Sequence, residues 1–247
     1  MAAGNPLTNK VALITGASGG IGQAIARGLA AGGASVALAY GANPKPAQKL
    51  ADQLVDSGAS ALAVGADLRR PEAAVELLAA VEPELGSVDV LVAAAGMGRL
   101  QSFEEVSIED FDETIAVNLR APFLLAQRTL PGMRARGFGR VLFVSSVAGF
   151  TGGIVGPHYA ASKAALHGLT HFLAARVAAD GVTVNAIAPA LITDTGMVPD
   201  EPDELKARIP VGRLGKPDEV ADLALAMLRN PYMTSQVVSI DGGMYPH

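Results

Sequence analysis

The 247 residues contain no cysteine. Disulfides, thiolate nucleophiles and thiolate-held zinc or iron–sulfur centres are thereby excluded. A chain without cysteine fits a reducing compartment, and a cytoplasmic location is expected. Tryptophan is also absent, and aromatic residues make up 4%. Charged side chains account for 17%, against about 25% in ordinary domains. The net charge is −5 and the pI about 5.4, which argues against a nucleic-acid partner. Residues 1–10 carry neither a basic nor an apolar leader segment, so no secretory signal is expected there. Val141–Ser162 is free of Lys, Arg, Asp and Glu, but it holds Gly149, Gly152, Gly153, Gly156 and Pro157. A bilayer span needs about 20 predominantly apolar residues, so no membrane association is expected.

Small residues fill the gap: 28 glycines, and a count of 45 alanines in the same sequence. Half the residues are hydrophobic, so a sizeable core can be buried and an ordered chain is expected. Backbones in such a core can approach one another, or a ligand, closely.

Short β-branched or alanine-rich runs alternate with longer helical patterns. Strands are predicted at Lys10–Thr15, Ser35–Tyr40, Ala61–Ala66, Val88–Ala93, Arg140–Ser145, Val182–Ala188 and Val237–Ile240. Helices are predicted from Gly20 to Ala31, from Pro46 to Gly58, after Pro71 as first helical residue, from Ser107 to Ala135, from Pro157 to Gly181, and from Pro217. Ser107 with Asp110 three residues on has the spacing of a capping box. The expected fold is α/β: a doubly wound, Rossmann-type, seven-stranded parallel sheet with helices on both faces. No linker divides the chain, so residues 1–247 are read as one dinucleotide-binding and catalytic domain. Residues 189–215 form the long irregular stretch, with four acids between Asp200 and Glu204. A loop of that length suggests a substrate lid.

Thr15-Gly16-Ala17-Ser18-Gly19-Gly20-Ile21-Gly22 lies between a predicted strand and a predicted helix. That context makes a glycine pattern a phosphate site. Gly16 permits the sharp exit from the strand, Gly20 lets backbone approach a pyrophosphate, and Gly22 lets helix pack close to sheet. The helix N-terminus adds free N–H groups and about half a positive charge. At the end of the second strand, where NAD-binding proteins place an acid on the ribose 2′-hydroxyl, stands Tyr40, followed by Gly41-Ala42-Asn43-Pro44-Lys45. No carboxylate would repel a 2′-phosphate there, and Asn43 and Lys45 could meet it. NADPH is therefore expected rather than NADH.

Tyr159 and Lys163 are spaced i,i+4, which puts both side chains on one helix face. An ammonium about 4 Å from the phenol, at an effective dielectric near 20, would lower the tyrosine pKa by up to about 3 units before desolvation. Chance alone gives about 0.1 such pairs from four Tyr and six Lys in this length. Ser146 lies 13 residues before Tyr159, just past the fifth strand, and Asn118 lies mid-helix, where asparagine is poorly favoured.

Together the glycine turn, Ser146, Tyr159-Ala-Ala-Ser-Lys163 and Asn118 resemble the short-chain dehydrogenase/reductase family, from Lys10 to Tyr245. The resemblance implies roles. Ser146 orients the substrate carbonyl and Tyr159 is the proton donor. Lys163 tunes Tyr159 and holds the nicotinamide ribose, and Asn118 holds a water of the proton relay. Cofactor contacts are implied for Gly16, Ser18, Gly20, Ile21, Gly22, Tyr40, Asn43, Asp67, Leu68, Ala95, Gly96, Tyr159, Lys163, Pro189 and Ile192. Asp67 would meet the adenine amine. Ser145 is given a structural role. Two departures stand out: Ala93-Ala94-Ala95-Gly96, where the family commonly has Asn-Asn-Ala-Gly, and Pro189-Ala190 in place of Pro-Gly.

The stretch Arg213–Glu219 and the terminal Asp241-Gly242-Gly243 resemble the 3-oxoacyl-acyl-carrier-protein reductases in particular. That implies NADPH-dependent reduction of a ketone, such as a 3-oxoacyl thioester on acyl carrier protein or coenzyme A, by a homotetramer. Arg134, Arg136 and Arg140 are candidates for docking the carrier, while Asp180 stands where carrier-dependent members often have arginine. An NAD-dependent alcohol or sugar-alcohol dehydrogenase is the alternative, followed by a non-catalytic nucleotide-binding protein. His167 and His171 are also i,i+4, but they lack the Glu of H-E-x-x-H and further ligands. No metal site is expected, and Met197 and Met227 are read as packing residues.

Overall fold

A computed structural model describes residues 4–195 and 206–245. The strands are β1 (Val11–Thr15), β2 (Ser35–Tyr40), β3 (Ala61–Gly65), β4 (Val90–Ala93), β5 (Gly139–Val144), β6 (Val182–Pro189) and β7 (Val237–Ile240). They form one sheet in the order β3-β2-β1-β4-β5-β6-β7, every pair parallel. The order reverses between β1 and β4, and a crevice opens at such a switch point outside the carboxyl ends of the strands. Thr15 there pairs in register with Ala93.

Helices α1 (Gly20–Ala31) and α2 (Lys45–Asp56) cover one face with the last helix, α8 (Pro217–Arg229). Helices α3 (Ala73–Leu85), α5 (Ala121–Ala135) and α7 (Pro157–Val177) cover the other. Helix α4 (Ile108–Ile115) precedes α5, and a one-turn helix α6 (Ala148–Thr151) follows β5. Most buried strands read as continuous apolar runs, because helices cover both faces. All eight residues of β6 are buried. Small residues allow close layers: a Cβ on Gly28 of α1 would fall 2.3 Å from the Leu225 side chain of α8.

Several boundaries differ from expectation. Pro71 precedes α3, which opens at Ala73. The fourth strand starts at Val90, because Val88 and Asp89 turn their polar groups to Arg136 and β1. Ser107 caps α4 as predicted, its Oγ accepting from the Asp110 N–H at 3.0 Å. The predicted long helix to Ala135 is interrupted by a wide π-turn at Ala116–Arg120 that contains Asn118. Met197 and the acids from Asp200 to Glu204 lie outside the described residues.

Candidate active site

β1 ends at Thr15, and Gly16 takes φ +70, which favours glycine. A Cβ there would fall 2.7 Å from the Ala95 backbone nitrogen, so the turn packs tightly on the end of β4. The Ala95 N–H also donates to Thr15 Oγ1 at 3.1 Å. The space beside Gly20 is filled differently from expectation: a Cβ would strike the Asp194 carbonyl oxygen at 2.6 Å. Gly20 thus makes room for the segment after β6. Gly22 brings α1 onto the Gly16 carbonyl, 2.5 Å from where its Cβ would stand.

A cavity of about 310 Å³ runs along this turn and down to the ends of β5 and β6. Gly16, Gly20, Ile21, Gly22, Gly96, Ser146, Tyr159, Lys163, Pro189 and Ile192 line it. Helix α1 opens at Gly19 with no side-chain cap and no acid in its first turn. Its free N–H groups therefore meet the cavity with nothing competing for them. An uncapped helix end, glycines and a lining without carboxylates among the described residues fit a dinucleotide pyrophosphate.

Tyr159 and Lys163 rise from the first two turns of α7, and Ser146 from the end of β5. Lys163 Nζ donates to the Val144 carbonyl at 2.8 Å and lies 5.6 Å from the Tyr159 ring centroid. Ser145 Oγ donates to the Lys163 carbonyl at 2.9 Å and lies 2.8 Å from His167 Nε2. With its only hydrogen committed, Ser145 must accept from His167, which fixes the Nε2–H form. Ser145 and His167 thus tie the end of β5 to α7, the structural role expected for Ser145.

Asn118 is fully buried. Its Oδ1 accepts from the Met97 N–H at 2.8 Å, while Nδ2 donates to the Met97 carbonyl at 2.8 Å and to Ser162 Oγ at 3.0 Å. Both amide hydrogens are thereby committed. The side chain braces the loop after β4 and has no hydrogen to give a relay water. That brace stands beside the Ala93–Ala95 run.

The electrostatics differ from the simple ion-pair expectation. Burial pushes the Tyr159 phenol above its ordinary value, and the Ser146 hydrogen bond pulls partly the other way. Burial lowers Lys163 from 10.5 to about 8. Desolvation governs both shifts because both groups are almost fully enclosed. Tyr159 is therefore a protonated acid at neutral pH, and Lys163 carries an ammonium that is easily discharged.

The positions implied for the far end of a dinucleotide lie beyond the cavity. Ser18 Oγ donates to the Asn43 carbonyl. Tyr40 closes β2, with Gly65 of β3 against its ring. Asp67 lies past β3 and is gripped by Arg69 through both carboxylate oxygens, 2.8 Å each. The Arg69 side chain holds its carboxyl below the usual range. An adenine amine would share Asp67 with that guanidinium. Leu68 occupies the turn that follows.

The three arginines suggested for carrier docking sit elsewhere. Arg140 is buried near the start of β5 and donates to the carbonyls of Leu228, Gly139 and Gly181. Arg136 bonds Asp89 and the Val88 carbonyl, and Arg134 pairs with Asp180. All three lie at the amino ends of the strands, opposite the cavity, so they do not flank its mouth. Leu191, Thr195 and Arg208 line the cavity from the 189–215 stretch expected as a substrate lid, Ile154 and Val155 line it from the loop before α7, and sequence reasoning missed the two remaining lining residues, Met244 and Tyr245. Only the small-residue signal of Asp241-Gly242-Gly243 pointed to the last two. It also missed His158, fully buried with both ring nitrogens unpartnered among the described residues, and likewise the Oε1 of Gln101. Among the described residues no cluster suits a metal ion, and no helix is long and apolar enough to cross a membrane.

A parallel sheet with an uncapped glycine turn at its switch point, facing a buried Tyr–Lys pair and a serine, defines a nucleotide-dependent oxidoreductase. The sequence pattern of the short chain dehydrogenases matches residues 10–206, and the chain belongs to that family. It is 39% identical to the 3-oxoacyl-[acyl-carrier-protein] reductase FabG of Vibrio cholerae, over 97% of this chain and 98% of that protein. It is 38% identical to an acetoacetyl-CoA reductase of Rhizobium meliloti, over 96% and 99%. Among solved structures, a blue fluorescent protein from a metagenomic library, in complex with NADPH, superimposes with a TM-score of 0.90 at 35% identity, covering 97% of this chain and 99% of that one. The chain is therefore a short-chain oxidoreductase.

Proposed function

We propose that the protein reduces a 3-oxoacyl thioester, or a similar ketone, to the secondary alcohol with NADPH. The observation that carries this reading is the joining of the uncapped α1 N-terminus to Ser146, Tyr159 and Lys163 in one cavity. When bound, the cofactor supplies a hydride for the carbonyl carbon. Ser146 donates a hydrogen bond to the carbonyl oxygen and orients it. Tyr159 gives its proton to that oxygen as negative charge develops, which its protonated state at neutral pH suits. Lys163 stabilises the phenolate left behind and holds the ribose. Asn118 keeps the loop after β4 in place, so it acts as a positioning residue.

NADPH is favoured over NADH because no carboxylate occurs from Tyr40 to Lys45, and Lys45 stands exposed at the start of α2. The whole chain serves as one dinucleotide-binding and catalytic domain. Relatives named for acyl-carrier-protein and CoA substrates support a thioester. A homotetramer is the assembly we propose, tested by light scattering. The central test is Tyr159→Phe, assayed with acetoacetyl-CoA. Reduction should fall at least ~10³-fold, beyond the usual ~10²–10⁴ range's lower end for a lost acid, with NADPH binding by fluorescence unchanged. Normal turnover by the variant would refute the assignment, and markedly tighter NADH binding would refute the cofactor choice.

A further inference from the structure

Among the described residues, those lining the cavity beside the glycine turn include two cations, Lys163 and Arg208, and no acid. Lys163 is buried against the Val144 carbonyl at the floor. Arg208 is exposed and makes no ion pair or hydrogen bond among the described residues. Its neighbours behave differently. Arg213, five residues on, is held by Glu219 through two bonds of 2.9 and 2.6 Å. That pairing pulls Glu219 down to about 2.

The backbone that presents Arg208 is fixed. Ile209 is buried, and the Val211 N–H donates to the Gly242 carbonyl at 3.1 Å. The Gly212 N–H closes the turn on the Ile209 carbonyl at 2.7 Å. A Cβ on Gly242 would fall 2.7 Å from Ile209, and one on Gly243 3.3 Å from Pro210. These contacts put Arg208 on the side of Met244 and Tyr245. A Cβ on Gly20 of the glycine turn would instead meet Asp194 and Pro217. The same cavity is lined by the apolar side chains of Ile154, Val155 and Leu191.

We propose that Arg208 is a specificity-determining residue that binds an oxyanion on the substrate, a carboxylate or a phosphate, beyond the apolar stretch next to the ketone. The proposal rests on the ketoreductase reading of the same cavity. A guanidinium offers five donors in a fixed fork that matches either oxyanion. An arginine on a fixed backbone, unpaired among the described residues, at the mouth of a cavity whose described lining holds no acid, is arranged to receive one. On a chain of net charge −5 it also marks the mouth as locally attractive to anions.

The test compares substrates with one ketone and different charge. Diethyl 3-oxoadipate is neutral, and its monoethyl ester carries a free carboxylate at the far end. Acetoacetyl-pantetheine is neutral, and its 4′-phosphopantetheine counterpart carries a phosphate. The native enzyme should favour the charged member of one pair in kcat/KM, and that pair identifies the source of the oxyanion. Arg208→Gln should lower kcat/KM for that member 10- to 100-fold through KM, leave its neutral partner within twofold, and leave the KM for NADPH unchanged. Arg208→Lys should recover part of the loss. Equal loss on charged and neutral substrates, or a raised KM for NADPH, would overturn the proposal. Calorimetric titration of the charged and neutral compounds into both proteins reads Arg208 without turnover. If no ketone is reduced, the ketoreductase reading fails, while a charge preference in binding that Arg208→Gln abolishes would still uphold the role of Arg208. Equal binding of both compounds would overturn it.

Discussion

The two ends of the sheet treat buried polar groups in opposite ways. At the amino ends, Asp89 accepts from Arg136 and from the Val11 N–H, and Arg140 reaches three carbonyls and also lies over the Phe138 ring. At the carboxyl ends, the Lys163 ammonium is buried with one carbonyl for company, α1 opens without a cap, and three buried atoms of His158 and Gln101 find no partner among the described residues. Satisfied polar groups hold a fold, and unsatisfied ones cost it free energy. The end that holds the proposed active site carries the cost, and the other end stabilises the sheet.

The largest expected effect breaks this comparison at Lys163. Lowering its pKa from 10.5 to about 8 corresponds to about 3 kcal/mol against folding while the lysine is charged. The unfolded chain binds the extra proton between those values, so this contribution makes stability rise with pH from about 8 to 10.5. Lys163→Met removes that cost and one hydrogen bond of about 1–2 kcal/mol. Thermal denaturation at pH 7 should show Tm raised by about 3–6 °C, while kcat falls at least ~10³-fold in the steady-state assay. A lowered Tm would mean that the ammonium stabilises the fold, contrary to this account.

A second expectation concerns the pH profile of kcat/KM for reduction, which reports the free enzyme. Tyr159, raised by burial, stays protonated through neutrality and sets no limit there. Lys163 is charged below about 8 and neutral above it. The profile should be flat near neutrality and fall as pH rises through about 8. A profile that stays level to pH 10 would remove the charge of Lys163 from the mechanism.

At the amino end the contrast is sharpened by Arg140→Met, which leaves the carbonyls of Leu228 and Gly181 without their donor. The loss should be about 2–4 kcal/mol in denaturant unfolding, with kcat per folded molecule within twofold. A catalytic defect at unchanged stability would mean that the two ends are not separate.

The same contrast explains what was legible in the sequence. Strand and helix periodicity located every strand of the sheet to within a residue or two, because both faces are covered and the apolar runs are continuous. The glycine turn, Ser146 and the Tyr159–Lys163 pair were legible because spacing and position fix them. The π-turn around Asn118 was not, since its departure from α-helix depends on packing that helical periodicity does not record. Nor was the direction of the Tyr159 shift, which depends on how completely the site is enclosed. Arg140 read as a surface cation because a sequence does not show that three carbonyls converge on it.

The smallest expected effect tests whether the amino end has any part in substrate recognition. Arg134 pairs with Asp180 at the surface, its side chain about half exposed. Exposed pairs contribute about 0–1 kcal/mol, so Arg134→Ala should shift unfolding by no more than ~0.5 kcal/mol. Because this pair lies across the sheet from the cavity, the variant should reduce a carrier-bound 3-oxoacyl group and the matching small thioester in the same ratio as the native enzyme. A selective loss on the carrier-bound substrate would place a docking surface at the amino ends after all. Recognition would then extend to the end of the sheet that otherwise serves only to hold it together.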